Sequence, residues 1–408
     1  MIAGTPVLDL DDAASLEAAD SGGALRSAAS GGAQVRATAA TVAEEALDRL
    51  TGLRPRSLLM VSGAGRARRA AALLVAALGD RAGLPLVPVT AIPPWAGPLD
   101  VVLVAGDDAG DPRLIDAIDR AQRRGAEVVV AAPAEGPLRA AAAGRAALLE
   151  PRVPVLEHNR MLRFLAVGIA VLHAIDPSRS GALLPQLNAL ADVLDAEALR
   201  DGPQHEVFHN PAKTLAARMQ QRELVLAGDT NATTELATHA AEVLLQSAGR
   251  IATAVDLTVA VTSLPRFLAA GAATPDYDPL FHDEELDGPP PVNRMRVFLF
   301  SADTDEVATR RKLAVFGGAG AGLVDADLLT ADPAEADTAG LPQELPPPGA
   351  PLPPDRDPAA APANGRTVSE LERLAVLALR VEMAAAYLRL IGGQPAADGT
   401  NSYDGGRY

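Results

Sequence analysis

No cysteine occurs among the 408 residues, which excludes disulfide bridges, thiolate nucleophiles and cysteine-ligated zinc. Aromatic residues make up only 3% of the chain, so the core has to be filled by Ala, Val and Leu. Such residues suit buried parallel strands and close helix packing. Long apolar runs are also missing. The best of them, Phe164 to Leu172, lies between Arg163 and His173 and falls far short of the ~20 residues that span a bilayer. No membrane partner is therefore expected. Asp9, Asp11, Asp12, Glu17 and Asp20 open the chain with no basic stretch before them, so a secretory signal is not expected and a cytoplasmic location is. Positive charge is in deficit, with 36 Lys and Arg against 52 Asp and Glu for a net charge of −16. That field repels phosphate backbones, and nucleic acid is not an expected partner. A small phosphate can still be held at one local basic or amide-lined spot.

What is present reads as an α/β protein. Apolar residues reach 48% and charged residues 22%, a globular balance, and the length suits two domains, each with its own core. A lead-in over residues 1–33 precedes an opening helix from Gln34 to Leu50. Apolar runs at Ser57–Val61, Pro85–Val89, Asp100–Ala105 and Glu127–Ala132 read as buried strands, with another near Val153–Val155. Helices between them, such as Arg66 to Leu78 and the one opened by Asp111-Pro112, make βαβ units and a parallel sheet over residues 34–176. Asp and Pro there serve as N-cap and first helical residue. A connector, residues 177–209, holds a helix from Leu183 to Ala198. The rhythm restarts at Asn210-Pro211 and runs over 210–330, with strands at Glu223–Ala227 and Arg296–Ser301 and helices at Thr233–Ser247 and Asp305–Ala314. Residues 331–365 form a Pro-rich linker. A helix follows over 366–393, opened by a capping box at Thr367-Val-Ser-Glu370, and a polar tail occupies 394–408. The stripe Leu371, Leu374, Ala378, Val381, Ala385, Leu388 and Ile391 should dock on the body or on a second subunit. A homodimer is expected from it, and a partner protein could use this helix or the linker.

In open parallel sheets, ligands bind beyond the carboxyl ends of strands, near helix N-termini. Ser62-Gly63-Ala64-Gly65-Arg66 fits that place in the first half, with Arg68 and Arg69 adding charge; as a dinucleotide fingerprint it fails, because Arg68 stands where a third glycine belongs. Ordinary turn chemistry explains it equally well. Gly106-Asp-Asp-Ala-Gly-Asp111 carries three carboxylates, which would repel a phosphate. Thr230 and Asn231, in the corresponding junction of the second half, can hold a phosphate or simply cap a helix. No histidine has metal-ligand spacing, and neither a metal nor a cofactor is expected. His158, His173 and His239 read as surface or boundary residues.

Taken in order, several short motifs resemble the bifunctional phosphoglucose/phosphomannose isomerases, which carry two sugar isomerase (SIS) domains. They are Pro93-Pro94-Trp95-Ala-Gly-Pro98, Asn159-Arg160-Met-Leu, Asn210-Pro-Ala-Lys213 and Tyr387-Leu-Arg-Leu. The resemblance implies two SIS-type, Rossmann-like halves with doubly wound parallel sheets, plus the C-terminal helix. It also implies an aldose–ketose isomerisation in which a glutamate shuttles a proton between C1 and C2. By position, Arg160 matches the enediolate-stabilising arginine and His282 the ring-opening histidine, with Glu284 close behind. Ser62 to Gly65, with Gly63 and Gly65, match the glycine loop, lacking its usual second glycine pair, and Arg66 follows directly as a candidate phosphate-binding residue. The serine/threonine phosphate loop has become Gly106 to Asp111, and Gln246 stands where the base belongs. Glutamine takes up no proton at neutral pH, and a general base is worth roughly 10²–10⁴-fold; Glu242, one turn earlier, is the nearest substitute.

Two functions follow from this. One is a degenerate SIS protein that binds a sugar phosphate without turnover, in a binding or regulatory role. The other is an active isomerase interconverting glucose 6-phosphate or mannose 6-phosphate with fructose 6-phosphate, with Arg160 and His282 retained and Glu242 or Glu284 as the base.

Overall fold

In a computed structural model the described residues are 8–220, 222–271, 295–316, 324–331 and 368–392. The first sheet contains β1 (Ser57–Ser62), β2 (Leu86–Val89), β3 (Asp100–Ala105), β4 (Glu127–Ala131) and β5 (Ala146–Leu148), in the order β2-β1-β3-β4-β5. All four pairings are parallel. The second contains β6 (Glu223–Gly228), β7 (Ala252–Asp256), β8 (Met295–Phe300) and β9 (Val324–Leu329), in the order β7-β6-β8-β9 and again all parallel. Two parallel sheets flanked by helices bear out the α/β expectation.

Central strands such as Ser57–Ser62 and Asp100–Ala105 are continuous aliphatic runs because helices cover both of their faces. Alternate residues go to opposite faces. Leu58 and Met60 enter the main core, whereas Leu59 and Val61 enter a second one, behind α5 (Pro112–Arg123) and α6 (Gly136–Ala142). On the main-core face lie α1 (Ala13–Ala19), α2 (Ala24–Ala29), α3 (Gly31–Ala43), α4 (Arg66–Leu78), α7 (Met161–Ile175), α8 (Leu187–Arg200), α9 (Pro211–Met219) and α10 (Asn231–Ala248). The same core takes in Leu224, Leu226, Phe298 and Phe300 of the second sheet. The two halves therefore share one core on their facing sides, where separate cores were expected. A third core lies on the far face of the second sheet, under α11 (Leu257–Gly271) and α12 (Glu306–Ala314).

The last helix, α13 (Glu370–Ile391), corrects another expectation. It is buried around nearly its whole circumference, with Ala375, Ala378, Ala384 and Ala385 allowing close approach to its neighbours. Two of its buried charged residues have partners from other helices and turns, Arg380 in Glu197 and Glu382 in His239 and Asn159. Its stripe is covered within this chain, so it presents no face to a second subunit or partner protein. Its N-cap is Ser369, which accepts from the backbone N–H of Glu372 at 3.2 Å, rather than Thr367.

Other boundaries move for readable reasons. The opening helix runs from Gly31 to Ala43 and follows two helices within the lead-in. Residues 153–155 are not a strand; Pro151 and Pro154 remove donors there, and the fifth strand is the short alanine-rich β5. The connector helix starts at Leu187. The edge strands β7 and β9 have no counterpart in the sequence reading, since alternation such as Val-Asp-Ala-Asp in β9 lacks a long apolar run. Apart from Ala331, which is buried in the main core, the Pro-rich linker and the polar tail lie outside the described residues. No described helix is long and apolar enough to cross a membrane.

Candidate functional site

In the first sheet the chain turns opposite ways from β1 to reach β2 and β3, so a crevice opens at the carboxyl ends of β1 and β3. Gly63 and Gly106 face each other across it. A Cβ placed on Gly63 would come within 3.4 Å of the Gly106 Cα. Gly65, at φ 77°, turns the chain into α4. Glu157 stands beside it, its Oε1 3.8 Å from where a Gly65 Cβ would be.

The three carboxylates of the Gly106 loop have different duties. Asp108 Oδ1 accepts from the backbone N–H of Gly110 at 2.7 Å. Asp111 caps α5, accepting from the N–H of Arg113 at 2.9 Å and pairing with its guanidinium at 2.8 Å. Only Asp107 reaches over the crevice, where its Oδ1 pairs with Arg160 Nη1 at 3.1 Å. Burial raises the Asp107 pKa, opposed by the charges of Arg160 and Arg163. Arg163 is 6% exposed; its Nη2 donates to the Leu149 carbonyl at 2.9 Å, and its Nη1 has no hydrogen-bond partner among the described residues. Burial pulls the Arg163 guanidinium down to about 10.

Arg66 turns away from the glycine loop. At 2% exposure it crosses to α10, where Nη2 pairs with Glu242 Oε2 at 2.8 Å and donates to Gln246 Oε1 at 3.2 Å. Its Nη1 lies 2.9 Å from His239 Nδ1. Since a guanidinium can only donate, Nδ1 accepts and the imidazole proton rests on Nε2. That Nε2 donates to Glu382 Oε1 at 3.0 Å, and Asn159 Nδ2 donates to Oε2 at 3.0 Å. Burial pushes Glu382 up to about 8 against the Asn159 hydrogen bond and the Arg66 charge, and holds His239 well below its usual value. His239 is fully buried, not a surface or boundary residue. One turn along α4, Arg69 pairs with Glu242 at 2.7 Å and Glu235 at 3.1 Å. Glu235, His239, Glu242 and Gln246 recur at helical spacing on α10, a polar stripe that the sequence offered. Its partners on α4 lie about 170 residues away, so the pairing itself could not be read from the sequence.

The second crevice, between β6 and β8, is closed. Asp229 has no exposed side-chain surface and accepts from Thr233 Oγ1 at 3.0 Å, Ser301 Oγ at 2.6 Å and Lys312 Nζ at 2.8 Å. Gly228 is required there, because a Cβ would lie 2.2 Å from the Thr234 backbone nitrogen. Thr230 caps α10 reciprocally with Thr233, and Asn231 stands exposed beside it. Lys213, from Asn210-Pro-Ala-Lys213, is buried and donates to the Pro203 and His205 carbonyls, both at 2.7 Å. That motif anchors the connector. Ser62, Gly63, Gly65 and Arg160 thus share the first crevice. Arg66 and Glu242 meet beside it, and Thr230 and Asn231 belong to the second. His282 and Glu284 lie outside the described residues. Asp107 and Arg163 were not singled out as binding residues; the three carboxylates of the Gly106 loop, Asp107 among them, were noted as a source of repulsion.

No family model matches the sequence, and no curated protein does. Solved structures do resemble it. A provisionally assigned phosphosugar isomerase from Clostridium difficile 630 superposes with a TM-score of 0.56 at 9% identity, covering 91% of this chain and 94% of that one. A provisionally assigned tagatose-6-phosphate ketose/aldose isomerase from Clostridium novyi NT gives 0.53 at 14% identity, covering 93% and 90%. The tagatose-6-phosphate ketose/aldose isomerase of Escherichia coli gives 0.50 at 13% identity, covering 96% and 97%. The fold is that of the SIS-type α/β proteins, over almost the full length of both partners. Identities this low carry the architecture alone.

Proposed function

We propose that this chain binds a sugar phosphate in its first crevice and does not isomerise it. The observation that carries the reading is the state of the base position. Glu242 is held by both Arg66 and Arg69, and Gln246 accepts from Arg66. Moving a proton between C1 and C2 requires a carboxylate free to take it, and losing a general base costs roughly 10²–10⁴-fold in rate. The SIS-type fold, the paired glycines at the crevice and Arg160 beside them support sugar-phosphate binding. The acidic loop and the tethered glutamate support absence of turnover. The test joins two measurements on the wild-type chain: calorimetric titration with fructose 6-phosphate, and formation of fructose 6-phosphate from glucose 6-phosphate or mannose 6-phosphate. Binding without product is expected. Product at ordinary enzyme rates would overturn the reading and turn attention to Glu242 and Glu284 as bases.

A further inference from the structure

Several features of the first crevice point to an anion. It lies at a strand-order switch point between two glycine-containing loops, next to the N-terminus of the twelve-residue helix α5. Arg160 stands over it, and Arg163, buried beside Asp107, has an Nη1 with no hydrogen-bond partner among the described residues. A buried guanidinium donor without a partner is costly and marks a place where an acceptor belongs. The acceptor now facing Arg160 is the chain's own Asp107.

We propose that Asp107 is a built-in anion occupying the place of a ligand phosphate, and that an external oxyanion enters this crevice with uptake of one proton by Asp107. This deepens the sugar-phosphate reading and rests on it. In the exchange, Arg160 passes from the Asp107 carboxylate to the oxyanion, and the released carboxylate takes a proton from water. Two negative groups beside one guanidinium repel each other, and protonation of one removes that repulsion. The charged groups facing Asp107 are Arg160 and Arg163 from the start of α7 and Glu157 from the turn before it. Asp108 and Asp111 of its own loop are engaged by Gly110 and Arg113, and Arg66 of α4 is directed to α10. Glu157 opposes a second negative charge, so it strengthens the requirement for a proton. Burial already biases Asp107 toward its protonated form.

Sulfate is the direct probe, because it mimics phosphate and does not itself titrate near neutrality. Wild type and Asp107→Asn are titrated calorimetrically with sulfate and with fructose 6-phosphate at about pH 5.5 and about pH 8, in buffers of different ionisation heat. Wild type should bind sulfate at least about tenfold more tightly at the lower pH and take up about one proton per sulfate at the higher. The Asn variant should bind sulfate about tenfold more tightly than wild type at the higher pH, with no proton uptake, and adding Arg160→Gln should abolish this gain. Wild-type proton uptake needs no variant, so it stands even if Asp107→Asn folds poorly. Sulfate binding that is equal in both proteins and independent of pH overturns the proposal, as does no binding to either at any pH. If sulfate behaves as expected while fructose 6-phosphate binds neither protein, the internal anion stands and the sugar-phosphate reading falls. If fructose 6-phosphate binds wild type equally at both pH values without proton uptake, that reading stands and the internal anion falls.

Discussion

Each half of the molecule places an aspartate and a cation at its strand-order switch point, yet the two pairs differ in completeness. In the second half, Asp229 is fully covered and accepts from two hydroxyls and a lysine, so both of its oxygens are satisfied. In the first half, Asp107 retains 21% of its side-chain surface and Arg160 33%, and the buried Arg163 Nη1 has no hydrogen-bond partner among the described residues. A saturated buried pair is a structural knot. An unsaturated pair at the same topological place keeps the capacity to exchange one anion for another.

The largest expected effect tests the knot. Asp229→Ala leaves Ser301 Oγ without its acceptor and Lys312 without its closest counter-charge, and should destabilise by about 3 kcal/mol in urea unfolding. Asp107→Ala, at a partly buried pair whose carboxylate is already disfavoured by burial, should cost about 1 kcal/mol or less. Equal losses would erase the distinction between the two crevices.

Next in size is the response to pH. Burial pushes Glu382 up to about 8, and burial with the neighbouring Glu197 charge pushes Asp201 to about 8. A carboxyl whose folded pKa is raised holds its proton where the unfolded chain has lost it. It therefore contributes stability that declines as pH climbs from the usual carboxylate range to about 8. His158, pulled by burial to about 4, and His239 act below about 6.5, where the unfolded chain gains protons that the folded chain refuses, so stability also falls on acidification. Between about pH 6.5 and about pH 8 the carboxyls dominate, with the histidines offsetting them only near the lower end, and unfolding free energy should drop by roughly 2 kcal/mol. Asp201→Asn should remove about half of that slope. This variant is informative because Asp201 Oδ2 is buried with no hydrogen-bond partner among the described residues.

The smallest expected effect is on chemistry. Gln246→Glu places a carboxylate where the resemblance puts the base, but Arg66 would pair with it as it does with Glu242. Coupled assay of fructose 6-phosphate formation should register no gain. Adding Asp107→Ser and Asp108→Ser should help more than either change alone, since base and phosphate site serve one transition state. Gain from Gln246→Glu alone would show that the acidic loop is no obstacle.

How much of this was legible beforehand follows from the range of the interactions involved. Strands β1, β3, β4, β6 and β8 announce themselves as aliphatic runs, and the caps at Asp111 and Asn210 are local chemistry confirmed by their bonds to Arg113 and Lys213. Gln246 and the acidic Gly106 loop were visible as departures from a motif. The tether between Arg66 and Glu242 was not, because nothing local distinguishes an arginine facing a ligand from one facing a helix 176 residues on. The different duties of Asp107, Asp108 and Asp111 likewise depend on side-chain direction, to which a run of acidic letters is blind. The burial of α13 escaped for a related reason. The apolar stripe was visible, but the partners that let Arg380 and Glu382 be buried, Glu197 for the first and His239 with Asn159 for the second, are distant in sequence.

The central claim is that the crevice holds a sugar phosphate without removing its proton. Proton removal is best observed directly, by incubating glucose 6-phosphate with the wild-type chain in deuterium oxide and following the C2 proton by NMR. Isomerisation and abortive exchange both erase that signal, so the measurement detects a working base even when no product accumulates. With Glu242 tethered by two arginines and Gln246 neutral, the C2 signal should persist unchanged at a ligand concentration that calorimetry shows to be saturating. Loss of the signal at a rate proportional to protein, and abolished by Glu242→Gln, would contradict the account and make Glu242 a catalytic residue.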